Sequence, residues 1–383
     1  MITLIATAKF GLEKMVRLEV AALGFDNIAV SPGRIEFAAT LADIPRLNLW
    51  LRCADRLLLK VAEFPATTFD DLFEQCKAIE WERWIGENGR FPVAAHSVKS
   101  TLMSERSCQS IVKKAVADRL AQAYGVAWLA ETGAEYAIHL SLHKDVALLT
   151  LDTSGAGLHK RGYREEAGEA PLKETLAAAL VKLSFWRPDR LLLDPMCGSG
   201  TILIEAALMA RNVAPGLKRP FAAEQWPIIP TTAWAEARQE AEAAIQVDNP
   251  LQLFGYDINP ATIEIAKSNA AKAGVGDDIV FAVKDVRELW IDQQHGIVIT
   301  NPPYGMRMAE YQTLNQIYIA LNKMFRKKQG WSVYVLTADH KFPDYFKRAR
   351  PDRVRKLYNG TIEANYYQYY GEKPPGGKEN YEL

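Results

Sequence analysis

Two consecutive prolines after an asparagine, in Ile299-Thr-Asn-Pro-Pro-Tyr-Gly305, form the most chemically specific segment of the chain. Pro302 and Pro303 donate no backbone hydrogen bond and hold the segment extended, so the Asn301 amide and the proline carbonyls must point at something else. An exocyclic amine carries two N–H donors and becomes nucleophilic only when its lone pair is withdrawn from ring conjugation. The Asn301 side-chain oxygen and the carbonyl of Pro302 or Pro303 are two acceptors that can hold those hydrogens and aim the lone pair at an electrophile. Tyr304 adds a flat face on which a planar base, taken out of its stack, can rest. No strong general base is needed, because an amine sheds its proton readily once alkylated. The structural alternative is a rigid Pro-Pro turn with an Asn cap.

Three further motifs precede this one, each at the end of an apolar run that reads as a strand. Leu191-Leu-Leu-Asp-Pro-Met-Cys-Gly-Ser-Gly-Thr201 is a buried strand, an acidic residue at its carboxyl end and a glycine turn into a helix. Ligands of open α/β sheets bind at the carboxyl ends of strands, where glycine permits close approach to the backbone. The turn, with Pro195, Cys197, Gly198, Ser199, Gly200 and Thr201, lacks the third glycine of a dinucleotide fingerprint and the lysine of a phosphate loop. Pyrophosphate and triphosphate ligands are therefore disfavoured, and a cationic amino-acid ligand suits Asp194 better. Asp257, followed by Ile258, ends the next strand. Asn259 and Pro260 already supply the N-cap and first residue of the following helix, which leaves Asp257 to accept hydrogen bonds from ribose hydroxyls. Asp285, followed by Val286, ends a third strand and could take an adenine amino group; a turn aspartate explains it nearly as well.

These motifs need a scaffold, and the pattern around them supplies one. Strands over 191–194, 251–257, 279–285, 297–300 and 332–337 alternate with helices over 201–211, 260–273 and 313–325, which predicts a parallel sheet with helices on both faces. Strands over 354–358 and 362–370, around Asn359-Gly360, predict an antiparallel pair closing it. Upstream the pattern is α+β: strands over 2–8 and 34–37 with a helix over 12–23, then a helix over 69–79, a strand over 92–98 and a long amphipathic helix over 105–124. Strands over 135–142 and 145–152 form a hairpin around His143 and Lys144. The Gly-rich basic stretch 154–164 carries no period and reads as a linker. The Pro- and aromatic-rich stretch 211–234 is too long for an ordinary loop and reads as an insertion near the active face.

In this order the motifs resemble the class I S-adenosylmethionine-dependent methyltransferases over roughly residues 170–383, and Asn301-Pro-Pro-Tyr304 is similar to the signature of their amino-methylating branch. The resemblance implies a Rossmann-like domain on a mostly parallel seven-stranded sheet. It implies S-adenosylmethionine as cofactor, S-adenosylhomocysteine as product and no metal. By the same likeness Asp194, Gly198 and Gly200 line the methionine end of the cofactor, Asp257 binds ribose, Asp285 faces adenine, and Asn301, Pro302, Pro303 and Tyr304 hold the target amine. Pro171-Leu-Lys-Glu-Thr-Leu176 looks like the helix that covers the cofactor. The upstream half resembles the ferredoxin-like and THUMP region of RNA-modifying enzymes, in Asp152-Thr-Ser-Gly155 and Leu158-His-Lys-Arg-Gly-Tyr-Arg164. The expected division is thus a ferredoxin-like part over 1–64, a THUMP domain over 65–155, a linker over 156–170 and the methyltransferase domain over 171–383. The whole is similar to the bacterial guanine-N2 methyltransferases of large-subunit ribosomal RNA, the RlmL type, a family also called N6-adenine-specific DNA methylases. Some members carry a second methyltransferase unit for which 383 residues leave no room, so activity at a single site is expected. Methylation of an adenine in DNA, methylation of a protein glutamine, and RNA binding without catalysis are the competing readings.

Composition bears on the partner. Forty-six basic residues balance 46 acidic ones, so no global field draws nucleic acid and any docking must use local patches. Lys99, Arg106, Lys113 and Lys114 form one such patch, and Lys160, Arg161 and Arg164 another; a third run, over 341–356, is also basic. No helix-turn-helix or zinc-finger pattern is present to read duplex DNA, whereas a THUMP-like region favours structured RNA, ribosomal RNA in particular. Cys53, Cys76, Cys108 and Cys197 form no C-x-x-C pair, which predicts reduced thiols in a cytoplasm and no structural zinc. No apolar run is long enough to span a membrane, and no obligate protein partner is evident.

Overall fold

A computed structural model describes residues 1–164, 172–247, 250–303, 308–348 and 350–372. The chain divides into two units, one of Met1–Ala8, Val16–Leu158 and Arg219–Glu240, the other of Lys9–Met15, His159–Lys218 and Ala241–Leu383. Among the described residues no helix is long and apolar enough to cross a membrane.

The first half of the chain carries β1 (Ile2–Thr7), α1 (Glu13–Ala22), β2 (Ala29–Ser31), β3 (Arg34–Ala39), α2 (Asp43–Trp50), β4 (Arg56–Pro65), α3 (Phe69–Lys77), β5 (Val93–Val98), α4 (Glu105–Tyr124), β6 (Ile138–His143) and β7 (Val146–Asp152). Its strands make one seven-stranded sheet in the order β2-β3-β1-β4-β7-β6-β5. β4 pairs antiparallel with β1 on one side and with β7 on the other. The ferredoxin-like and THUMP parts therefore share a continuous sheet, and the expected boundary at 64/65 falls inside β4. The β6–β7 hairpin turns on Lys144 and Asp145, both at positive φ (51° and 62°), the signature of a two-residue primed turn. α4 starts at Ser104, whose hydroxyl accepts the Ser107 N–H, and ends at Gly125 in the left-handed conformation.

The stretch expected as a linker is packed rather than loose. Arg219 donates to the carbonyls of Ser154, Ala156 and Gly157 at 3.1, 2.5 and 2.7 Å. Trp226 stacks on Tyr136 with ring centroids 5.0 Å apart, and its indole N–H donates to the Glu135 carbonyl at 2.8 Å. The Pro- and aromatic-rich stretch thus folds into the N-terminal unit from Arg219 onward. Nor does it begin at the active face: Arg211 donates to Asp278 at 3.0 Å, and Asp278 immediately precedes a strand, at the amino-end edge of the second sheet.

The second half carries α5 (Glu174–Lys182), β8 (Leu192–Asp194), α6 (Thr201–Ala210), α7 (Thr231–Ala243), β9 (Leu253–Asp257), α8 (Pro260–Ala273), β10 (Ile279–Val283), β11 (Gly296–Thr300), α9 (Met308–Phe325), β12 (Trp331–Thr337), α10 (Phe342–Tyr345), β13 (Arg353–Asn359) and β14 (Ile362–Tyr369). The sheet order is β10-β9-β8-β11-β12-β14-β13; β14 runs antiparallel to β12 and pairs with β13 as a hairpin. β12, parallel to β11 and antiparallel to β14, is buried along its whole length, as a central strand covered on both faces must be. Val298, Leu321, Phe325, Trp331 and Val333 belong to the apolar core beside it. Strand order reverses between β8 and β11, so the carboxyl ends of these two strands flank the crevice where ligands of such sheets bind.

Candidate active site

The glycine turn after β8 is shaped by two left-handed residues, Gly198 (φ 51°) and Gly200 (φ 80°). They serve different ends. A Cβ on Gly200 would lie 2.8 Å from the Phe281 ring, so that glycine lets α6 pack against the sheet, whereas a Cβ on Gly198 would meet nothing within 4 Å. Open space over a half-buried left-handed backbone is what a ligand approaching the turn requires. Pro195 and Cys197 are buried, and burial pushes the Cys197 thiol well above its ordinary range, so it packs rather than reacts. Ser199 and Thr201 hydroxyls lie 3.3 Å apart at the start of α6.

Asp194 is buried at the tip of β8. Its Oδ1 accepts the Met196 N–H at 3.2 Å and the Thr300 hydroxyl at 2.7 Å, which ties the tip of β8 to the tip of β11. Burial pushes this carboxyl up to about 7; the two hydrogen bonds oppose that rise and the nearby Asp257 charge adds to it. Asp257, at the tip of β9, accepts the Gly198 N–H at 3.1 Å and the Asn259 N–H at 2.9 Å. Asn259 caps α8 by accepting the Ala261 N–H, and Gly274 ends the helix, as its sequence predicts. Ile258 beside Asp257 is 60% exposed, an apolar side chain on the open side of the turn.

Asp285 is the weakest of the acidic tips. Both of its oxygens face the Arg287 guanidinium, with Nε at 3.0 and 2.9 Å, and this contact holds its carboxyl below the usual range. These contacts fit the turn reading of Asp285, and Val286 packs in the apolar core. At the tip of β11, Pro302 is buried, Pro303 is exposed, and Asn301 Oδ1 is buried with no hydrogen-bond partner among the described residues. A buried amide oxygen left without a donor is costly, and an N–H group of a ligand is one partner that would satisfy it. Tyr304 lies outside the described residues.

The basic candidates divide. Lys99, Arg106, Lys114 and Lys160 are exposed. Lys113 is not free for phosphate: its ammonium contacts Glu131 at 2.6 Å and lies 3.5 Å above the centre of the Phe91 ring. Arg161 is buried against Glu205 at 3.4 Å, and Tyr163 donates to the same carboxylate at 3.2 Å. Arg164 donates to the Leu172 carbonyl and the Thr201 hydroxyl and pairs with Glu174 at 3.4 Å. Arg161 and Arg164 therefore brace the segment before α5 against α5 and α6 instead of facing solvent. In the basic run near the C-terminal end, Arg348 donates to the Trp331 carbonyl at 2.6 Å and Lys356 pairs with Glu363. Sequence gives no sign of the roles of Glu205 and Glu174, because a carboxylate inside an apolar helix does not reveal which cation it will meet.

Residues 161–368 match the family model described as "RMKL-like, methyltransferase domain". The chain belongs to this methyltransferase family. Ahead of the methyltransferase domain, residues 3–58 match the RlmL ferredoxin-like domain and residues 66–152 the THUMP domain. A Bacillus subtilis protein named "Putative RNA methyltransferase YpsC" is 48% identical over 98% of each chain. The Shewanella pealeana "Ribosomal RNA large subunit methyltransferase K/L" is 32% identical over 96% of this chain and 53% of its own, so this methyltransferase spans about half the length of that relative. Among solved structures, a "predicted N6-adenine-specific DNA methylase" from Listeria monocytogenes has 48% identity and a TM-score of 0.92 over 97% of this chain and 96% of its own. The solved structure of "SMU.472, a putative methyltransferase complexed with SAH" has 39% identity and a TM-score of 0.91 over 97% of this chain and 99% of its own. The family and fold make the protein an S-adenosylmethionine-dependent methyltransferase.

Proposed function

We propose that this enzyme methylates the exocyclic amine of a base in structured RNA, N2 of a guanine in large-subunit ribosomal RNA, and does so in the cytoplasm. The observation that carries the reading is the buried, unpartnered Asn301 Oδ1 at the tip of β11, next to the β8 tip that holds Asp194. The THUMP match and the names of the YpsC and K/L relatives support RNA as the substrate.

In this reading Asp194, Pro195, Cys197, Gly198, Ser199, Gly200 and Thr201 form the cradle for the methionine end of S-adenosylmethionine, and Asp257 takes the ribose hydroxyls with Ile258 against the adenine. When bound, that cofactor supplies an electrophilic methyl group on a sulfonium. Asn301 Oδ1 and a carbonyl of Pro302 or Pro303 hold the two amine hydrogens, so the nitrogen lone pair leaves the ring plane and is aimed in line. The alkylated amine then releases its proton to water without a dedicated base. Lys99, Arg106, Lys114 and Lys160 are exposed cations that this reading offers to RNA phosphates.

The Listeria name favours a second reading, N6 of adenine in DNA. One experiment separates the two: mass spectrometry of nucleosides from ribosomal RNA and genomic DNA of a strain lacking the gene. Loss of N2-methylguanosine from the large-subunit RNA is expected. Intact N2-methylguanosine with loss of N6-methyladenine from DNA would replace the RNA reading with the DNA one.

A further inference from the structure

Asn301 is not alone at this face in lacking a donor. β12 runs parallel beside β11, with Thr300 opposite Val335, so both strands present their carboxyl ends at the same edge of the sheet, Asn301 level with Leu336 and Asp339 further along the chain that leaves it. Asp339 lies two residues beyond the end of β12. Its backbone N–H donates to the Thr337 hydroxyl at 3.1 Å, and its Oδ1 accepts the Lys341 N–H at 2.8 Å. Its other oxygen, Oδ2, is buried and has no hydrogen-bond partner among the described residues. Among the described residues, the segments that follow two neighbouring strands thus each carry an acceptor without a donor, one a neutral amide oxygen and one a carboxylate oxygen. Each is costly until a ligand brings it an N–H group.

The bases differ in what they can bring. Guanine carries two adjacent donors on its Watson–Crick edge, N1–H and the N2 amine. Adenine and cytosine place a ring-nitrogen acceptor beside their amine, and its lone pair would face the carboxylate. A glutamine carboxamide has no ring donor. We propose that Asp339 restricts the target to guanine, its Oδ2 accepting N1–H while Asn301 Oδ1 accepts an N2 hydrogen. The assignment rests on the amine-methylating reading above and names the residue that selects the base. A site built to hydrogen-bond a donor rejects the analogue lacking it by roughly 10⁴-fold, because its own buried group is then left unpaired.

The test uses the full-length enzyme and a synthetic RNA spanning the target nucleotide, located by mass spectrometry of ribonuclease fragments of the ribosomal RNA, made with guanine, 2-aminopurine or adenine at that position. 2-Aminopurine keeps the N2 amine and presents N1 as an acceptor. Wild type is expected to prefer guanine over 2-aminopurine by at least about 10²-fold in kcat/KM. Asp339→Asn, which can donate to N1, is expected to lose activity on guanine and gain it on 2-aminopurine, with unchanged affinity for S-adenosylmethionine. Wild type acting equally on both bases overturns the assignment without any variant. So does an Asp339→Asn enzyme that loses both activities in proportion, the mark of a structural role. If wild type forms N2-methylguanine and the variant keeps its preference, Asp339 alone is excluded. If wild type methylates adenine N6, or no RNA base, the underlying reading fails with it.

Discussion

Asp194 carries a carboxyl that the fold keeps protonated more readily than water does. Its native value of about 7 lies above the roughly 3.9 of an unfolded chain. Between those values the native state holds a proton that the unfolded state has released, so this residue's contribution to stability is present at low pH and is lost as pH rises from about 4 through 7. Asp194→Asn removes the titration. The cofactor-free variant is expected to gain in melting temperature over wild type at pH 8 and to match it near pH 4; parallel stability curves for the two proteins would refute the linkage. A cationic ligand beside the carboxylate restores the charged form, so cofactor binding should release a proton near pH 6.5. Calorimetry in buffers of differing ionisation heat reads this directly. Asn301 calls for a different signature. Asn301→Ala should lower methyl transfer by at least about 10²-fold while leaving cofactor affinity within a few fold, since the side chain is proposed to act on the amine. Equal loss of both would make it a structural residue.

At the scale of elements, what the sequence makes legible is what local chemistry decides. α4 and α8 are read to the residue; Asn259 and Pro260 announce the start of α8, and in the structure Ser104, Gly125 and Gly274 cap the other ends. The strand tips bearing Asp194, Asp257 and Asn301 are read for the same reason: apolar runs ending in turn residues. β4 and α2 are missed. Leu57-Leu58-Leu59 breaks the alternation of β4, whose partners β1 and β7 lie far away in sequence, and α2 holds Pro45 in its first turn and Asn48 in its interior. Charge is also illegible until partners are known, as Lys113 and Arg161 demonstrate. Arg161→Met leaves Glu205 buried without its cation and should destabilise the domain by about 3–5 kcal/mol, seen as a drop of several degrees in melting temperature. RNA affinity should keep its salt dependence in that variant. Lys114→Glu should do the opposite: unchanged melting, and a slope of log K against log salt shallower by about one. The reverse pattern would return Arg161 to the RNA surface and remove Lys114 from it.

Across the whole molecule, chain order and folding units part company. The chain passes between units after Ala8, Met15, Leu158, Lys218 and Glu240, and the last two crossings bound a segment that sequence assigns to the methyltransferase half but that completes the N-terminal unit. Its contacts there are of the kind that folding depends on. Arg219 satisfies three carbonyls in the Ser154–Gly157 turn, and buried Trp226 covers the face of Tyr136 while its N–H meets the Glu135 carbonyl. Removing the segment exposes an aromatic face and returns those carbonyls to water, so a fragment ending at residue 164 is cut at a sequence boundary and not at a structural one. Such a fragment is expected to melt several degrees below the same fragment joined through a Gly/Ser linker to residues 216–242. Trp226→Ala in the joined form should erase most of the gain, since burial of a tryptophan is worth about 3–5 kcal/mol. Equal melting of the bare and joined fragments would mean that the segment merely rests on a unit already complete. The distinction matters for testing the RNA role, because loss of RNA binding by a bare N-terminal fragment would report an unfolded docking unit rather than the absence of a docking surface.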